Sequence, residues 1–125
     1  MAYEQKPLPK PVRFVGSARD DLRSFPDDVR YVMGYALYMA QMGDKHPNAK
    51  PLKGFKGAGV LEVLEDHAGD AYRAVYTVRF TDAVYLLHAF QKKSKTGRKT
   101  PKLDMDRINE RMKQAEGHYR KITGR

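Results

Sequence analysis

Between Asp70 and Lys99 two strand-like runs stand end to end, and they constrain the fold more than any other stretch. The first reads D-A-Y-R-A-V-Y-T-V-R-F, the second A-V-Y-L-L-H-A-F-Q-K, and the second runs out into K-S-K-T-G-R-K. Tyr, Val, Phe and Thr fill a pleated, half-buried surface well, so both runs predict strands. In the first run Tyr72, Ala74, Tyr76, Val78 and Phe80 share one parity, and Arg73, Val75, Thr77 and Arg79 share the other. A period of two then sends both arginines to the face opposite the aromatic set, where they are expected to project from an open sheet surface. Lys92, Lys93, Lys95, Arg98 and Lys99 follow without an acid among them. A sheet face carrying guanidiniums, beside a strand that ends in lysines, is suited to a polyanion.

Val60 to Glu65 predicts a preceding strand, and Ala68-Gly69 the turn of a hairpin into the first run. With those two residues as the loop, Leu64 opposes Arg73 and Glu62 opposes Val75. Glu62 then lies diagonal to Arg73 on one face, within reach of a long side chain. Thr81-Asp82 is the next turn, and Ala83 to Lys92 the last long strand. Residues 1–11 carry Pro7, Pro9 and Pro11 and read as an extended tail. From residue 12 to 125 the chain reads as one domain, opening on a short strand at Val12–Val15.

Ser17 can cap a short helix carrying Ala18, Leu22 and Phe25 on one edge. Pro26, Asp27 and Asp28 suit the start of a second helix, whose buried stripe is Val29, Val32, Met33, Ala36, Leu37 and Ala40. Tyr31, Tyr35 and Tyr38 lie outside the centre of that stripe. Such a row can stack on bases, but rim packing is its commoner use. Asp44 to Gly59 reads as a loop bearing Lys45, Lys50, Lys53 and Lys56. Thr100-Pro101 is a cap and first-turn proline, and Leu103, Ile108, Met112, Ala115, Tyr119 and Ile122 form the stripe of a closing helix. The fold class is therefore α+β: a curved, mainly antiparallel sheet, two N-terminal helices on one face, a cationic cleft on the other, and a C-terminal helix.

Composition bounds the chemistry. The 125 residues include 24 Lys and Arg against 15 Asp and Glu, a formal charge of +9, which favours nucleic acid as partner. No cysteine is present, so neither a disulfide framework nor a thiolate metal site can form. His46, His67, His88 and His118 are scattered without H-x-x-x-H spacing, and no metal is expected. There is no Gly-rich phosphate loop and no G-x-S-x-G elbow. No apolar run approaches a membrane span and no signal-peptide pattern opens the chain, so a soluble, cytoplasmic protein is expected. His88 shares parity with Val84, Leu86 and Phe90 and reads as a core histidine. Arg73 has two compatible uses, pairing with Glu62 or binding phosphate.

One reaction suits this residue set. RNA carries its own nucleophile, the 2′-hydroxyl. An enzyme supplies a base for it, cations for the charged transition state and an acid for the leaving oxygen. The element order, together with K-P-L-K-G-F, G-V-L-E-V, G-D-A-Y-R-A-V-Y, L-L-H-A-F-Q-K-K-S-K-T-G and K-T-P-K, resembles the RelE/HigB/ParE superfamily of type II toxins. The phage-protein-like HigB branch is the nearer likeness, over about Val12 to Gln114. The resemblance implies a RelE-like domain that cuts mRNA on the ribosome, needs no cofactor and is neutralised by a cognate, HigA-like helix-turn-helix antitoxin. It implies that Arg73 holds the scissile phosphate, that Lys92 and Lys93 supply charge or proton transfer, and that Lys53 approaches from the loop. Arg79, Lys95, Arg98, Lys99 and Lys56 would bind RNA, with Glu62 and His88 in support. Lys56 departs from the usual G-F-G-G and receives no catalytic role. Two alternatives from other classes are a ParE-like gyrase poison and a non-catalytic, phage-derived nucleic-acid-binding module.

Overall fold

Ala68 and Gly69 take φ of +51° and +84°, the left-handed pair of a two-residue hairpin turn whose twist matches the flanking strands. They join β3 (Val60–His67) to β4 (Asp70–Thr77) in the expected register, with Leu64 opposite Arg73 and Glu62 opposite Val75. The computed structural model describes residues 8–55, 57, 59–92 and 99–124. The other elements are β1 (Val12–Phe14), α1 (Ala18–Arg23), α2 (Asp27–Gln41), β2 (Ala49–Pro51), β5 (Val84–Lys92) and α3 (Lys102–Thr123). Together they make an α+β protein around a five-stranded sheet in the order β1-β5-β4-β3-β2. Only β1 and β5 run parallel; the other pairs are antiparallel.

The sheet is covered on both faces. On one, α1 and α2 bring Ala18, Val29, Met33, Ala36 and Leu37 against Val63, Tyr72, Ala74, Tyr76 and Leu86. On the other, α3 lays Ile108, Met112, Ala115 and Tyr119 against Val75, Tyr85, Leu87 and Phe90. This second layer corrects the expected open cationic face, because the apolar stripe of α3 is buried against the sheet rather than left for a partner. Leu103 and Ile122, at the two ends of that stripe, stay exposed.

Three further local expectations are overturned. β2 is a short edge strand within the segment read as loop; three residues ending in proline give almost no pattern, and an edge is where a strand tolerates that residue. β4 ends at Thr77, so Val78 and Phe80 leave the parity of Tyr72: Val78 is exposed and Phe80 packs with Tyr85 and Tyr119 under α3. Between β4 and β5 the register shifts, Val75 pairing His88 while Tyr76 pairs Leu86. Leu87 is the extra residue of this bulge, and beyond it the alternation reverses. Val84 and Leu86 therefore face α2, whereas His88 and Phe90 face α3. The tyrosines of α2 remain outside the core, with the Tyr35 ring 6.5 Å from Tyr38 and 5.8 Å from His46.

Candidate functional site

The hairpin register carries Arg73 and Glu62 to one side of the sheet, and β5 brings Lys92 beside them through its pairing with Ala71. All three are buried, at 2 %, 5 % and 7 % exposure. Arg73 Nη1 donates to Glu62 Oε2 at 3.5 Å and reaches Thr100 Oγ1 at 3.4 Å, both at the long limit of hydrogen bonding. Its Nε is buried with no hydrogen-bond partner among the described residues. An orphaned buried donor of this kind costs about 1–3 kcal/mol, and a charged one more. The expectation that Arg73 projects from an open face is thus corrected. Thr100, just ahead of α3, stands over it, and its hydroxyl serves Arg73 instead of capping the helix, whose N-cap is Pro101 without a side-chain bond.

Lys92 is held below the ordinary lysine pKa, chiefly by burial and then by the Arg73 charge, while Glu62 acts in the opposite direction. Glu62 thus sits beside two buried cations. The Arg73 Nε–H, without a partner among the described residues, favours an incoming anion.

The remaining expected residues divide. Lys53 is exposed in the turn between β2 and β3. The next residue, Gly54, has φ of +97°, and a Cβ there would lie 3.0 Å from Met105 Cε, so this turn packs on the first turns of α3, the end that meets Arg73. Lys99 is exposed and adjoins Thr100. Arg79 does not join them. It lies past the end of β4, where its guanidinium donates to Glu116 of α3 at 2.7 Å. Lys56, Lys93, Lys95 and Arg98 lie outside the described residues.

His88 serves the fold. Arg111 Nη1 donates to its Nδ1 at 3.2 Å, which leaves Nε2 to donate to Asp104 at 2.8 Å, and the ring stacks 4.9 Å from Phe90. Burial lowers its pKa first, and the Asp104 hydrogen bond works against that. Arg111 also donates to the carbonyl of the bulged Leu87 at 3.0 Å and to Ser17 Oγ at 2.9 Å, tying α3 to the bulge and to the start of α1. Gly16, at φ +56°, leaves room for that guanidinium, since a Cβ there would meet Arg111 Nε at 2.9 Å. Neither Arg111 nor Thr100 was an expected site residue. A single arginine on a helix with many charges carries no burial signal, and a Thr-Pro step reads first as a cap.

Among the described residues there is no group of three or more His, Cys, Asp or Glu able to hold a metal ion, and no helix long and apolar enough to cross a membrane. The fold and the cluster define a small α+β protein with a buried pair of cations, Arg73 and Lys92, beside Glu62 at one end of its sheet. Residues 20–113 match the model of the family described as Phage derived protein Gp49-like (DUF891), and the chain belongs to that family. The match falls within the stretch that carries the phage-protein resemblance in the sequence. Among solved structures, the chain is similar to a mutant of the E. coli toxin RelE in the free state, at 18% identity over 66% of this chain and 82% of that one, with a TM-score of 0.49. It is also similar to a chain of the RelBE2 toxin–antitoxin complex from Mycobacterium tuberculosis, at 23% identity over 68% of this chain and 100% of that one, with a TM-score of 0.45. No curated protein matches it.

Proposed function

We propose that this protein is the toxin of a type II toxin–antitoxin pair and that it cuts mRNA on the ribosome by attack of the RNA 2′-hydroxyl on the adjacent phosphate. The observation that carries the reading is the buried Arg73 guanidinium, whose Nε has no partner among the described residues and whose other bonds are long. A phosphate oxygen would satisfy that donor, and the bond strengthens as charge builds on the phosphorane. Lys92, with its charged form disfavoured, takes the proton from the 2′-hydroxyl. The oxygen attacks phosphorus, the bond to the 5′ oxygen breaks, and that oxygen leaves with a proton. Lys53 and Lys99, exposed at the same end of α3, hold the flanking phosphates. Entry of the phosphate requires Thr100 to move off Arg73. The phage-derived family and the toxin-like motifs support the same reading, as does a basic surface that an acidic antitoxin segment can cover.

The test is cleavage of a defined mRNA on programmed ribosomes by the purified protein, with the ends of the products identified chemically. Expected products carry a 2′,3′-cyclic phosphate and a 5′-hydroxyl, and they form in the presence of a chelator when ribosome integrity is separately controlled. Intact mRNA, or products with 5′-phosphates, overturns the proposal.

A further inference from the structure

A cavity of about 480 Å³ opens between β1, β5 and α3 at the other end of the closing helix, within the size range of small-ligand sites. Arg13, Phe14, Gly16, Tyr85, Gln114 and His118 contribute to its walls, and no carboxylate does. From Asp104 to His118 the helix rises about 21 Å, and the lining shares no residue with the Arg73 cluster.

Its polar groups form a chain. Arg13 Nη1 donates to Tyr85 Oη at 3.3 Å, and its guanidinium lies 5.8 Å over the Tyr85 ring. Tyr85 Oη is 2.7 Å from His118 Nδ1. The other ring nitrogen of His118, Nε2, has no hydrogen-bond partner among the described residues. Among the described residues Arg13 forms no ion pair there either. Beside these groups Phe14 is 41 % exposed, with the Arg19 guanidinium 5.6 Å from its centre.

We propose that this cavity binds a nucleotide, its phosphate held by Arg13 and His118 and its base set against Phe14. A guanidinium and an imidazole ring, neither with an acidic partner among the described residues, match a phosphate; an exposed ring flanked by a second arginine matches the face of a base. The nucleotide comes either from solution or from a single-stranded RNA, and the two sources share this chemistry.

The experiment titrates the full-length, isotope-labelled protein with adenosine 5′-monophosphate, adenosine, inorganic phosphate and a short single-stranded oligoribonucleotide, following backbone amides by NMR. Expected are shifts at Phe14, Gly16, Tyr85 and His118 with the monophosphate, at lower concentration than with adenosine or phosphate alone. Arg13→Gln should weaken that binding roughly tenfold or more, and His118→Gln should weaken it as well, both with wild-type amide dispersion elsewhere. The same shifts with the oligoribonucleotide assign the site to an RNA strand, and shifts with the monophosphate alone assign it to a free nucleotide. If neither ligand moves those amides, or if both variants bind as wild type does, the proposal is wrong. The outcome is independent of cleavage, because no residue is shared between the two sites.

Discussion

Arg73 and Glu62 face each other inside the protein at 3.5 Å, through one guanidinium nitrogen and one carboxylate oxygen. A strong arginine–carboxylate pair is shorter and uses two parallel bonds. The contact therefore orients the guanidinium without saturating it, and the donor left over is the one the proposed chemistry uses.

Arg73→Ala is expected to lower single-turnover cleavage by roughly 10²–10³, the scale for losing one preorganised donor. It should also destabilise the fold by about 1–3 kcal/mol, since buried Glu62 loses its Arg73 partner. Arg73→Lys should recover part of the rate, because it keeps the charge and loses the fork. Melting curves beside rates taken well below every transition separate the two effects. A folded alanine variant that cleaves at the wild-type rate removes Arg73 from the reaction.

For Lys92 the expectation concerns pH. As the base it must be neutral, so the cleavage rate should rise with pH and level off above a pKa lying below the ordinary 10.5. Lys92→Arg retains a cation that does not deprotonate, and should cut the rate by roughly 10²–10⁴ and abolish the rising limb. A pH–rate profile of both proteins decides it; an unchanged profile in the arginine variant refutes the assignment.

His88 makes the fold sensitive to acid. Its folded pKa lies below 6.5, so between that value and 6.5 the unfolded chain binds the proton that the native state refuses. Stability is full above 6.5 and falls as pH drops through the window. The midpoint of urea unfolding should decrease accordingly in wild type, and the decrease should flatten in His88→Gln, which keeps a donor toward Asp104 and does not titrate.

Gly16→Ala should destabilise by about 1–3 kcal/mol, through a left-handed φ of +56° and a methyl group 2.9 Å from Arg111 Nε. Gly43→Ala, at φ +84° with nothing within 4 Å, carries the backbone strain alone. The difference between the two in denaturant unfolding isolates the crowding of Arg111.

The hairpin and both apolar helix stripes are legible in the sequence because they rest on local rules: a turn dipeptide fixes register, and a period fixes a face. Those rules placed Glu62 diagonal to Arg73 on one face of the sheet. They fail where long-range contacts decide. The Leu87 bulge has no sequence mark, yet it turns His88 from the α2 side to the α3 side. Arg79 has the same parity as Arg73 on paper, but β4 stops two residues short of it and Glu116 claims the side chain. The burial of Arg73 depends on where α3 settles, and an amphipathic stripe announces that a helix will pack without naming the surface.

The parallel pairing of β1 with β5 has a consequence for how the protein is born. Val12 pairs with Val84, so the first strand to leave the ribosome waits for the last one to be made, while the β3–β4 hairpin can close as soon as it emerges. Arg111 then clamps the Leu87 carbonyl and Ser17 from a helix synthesised later still. A nascent chain truncated before α3 would lack both the clamp and the Thr100 contact on Arg73. The surroundings of Arg73 thus take their final form only once the segment carrying Thr100 and α3 has been made.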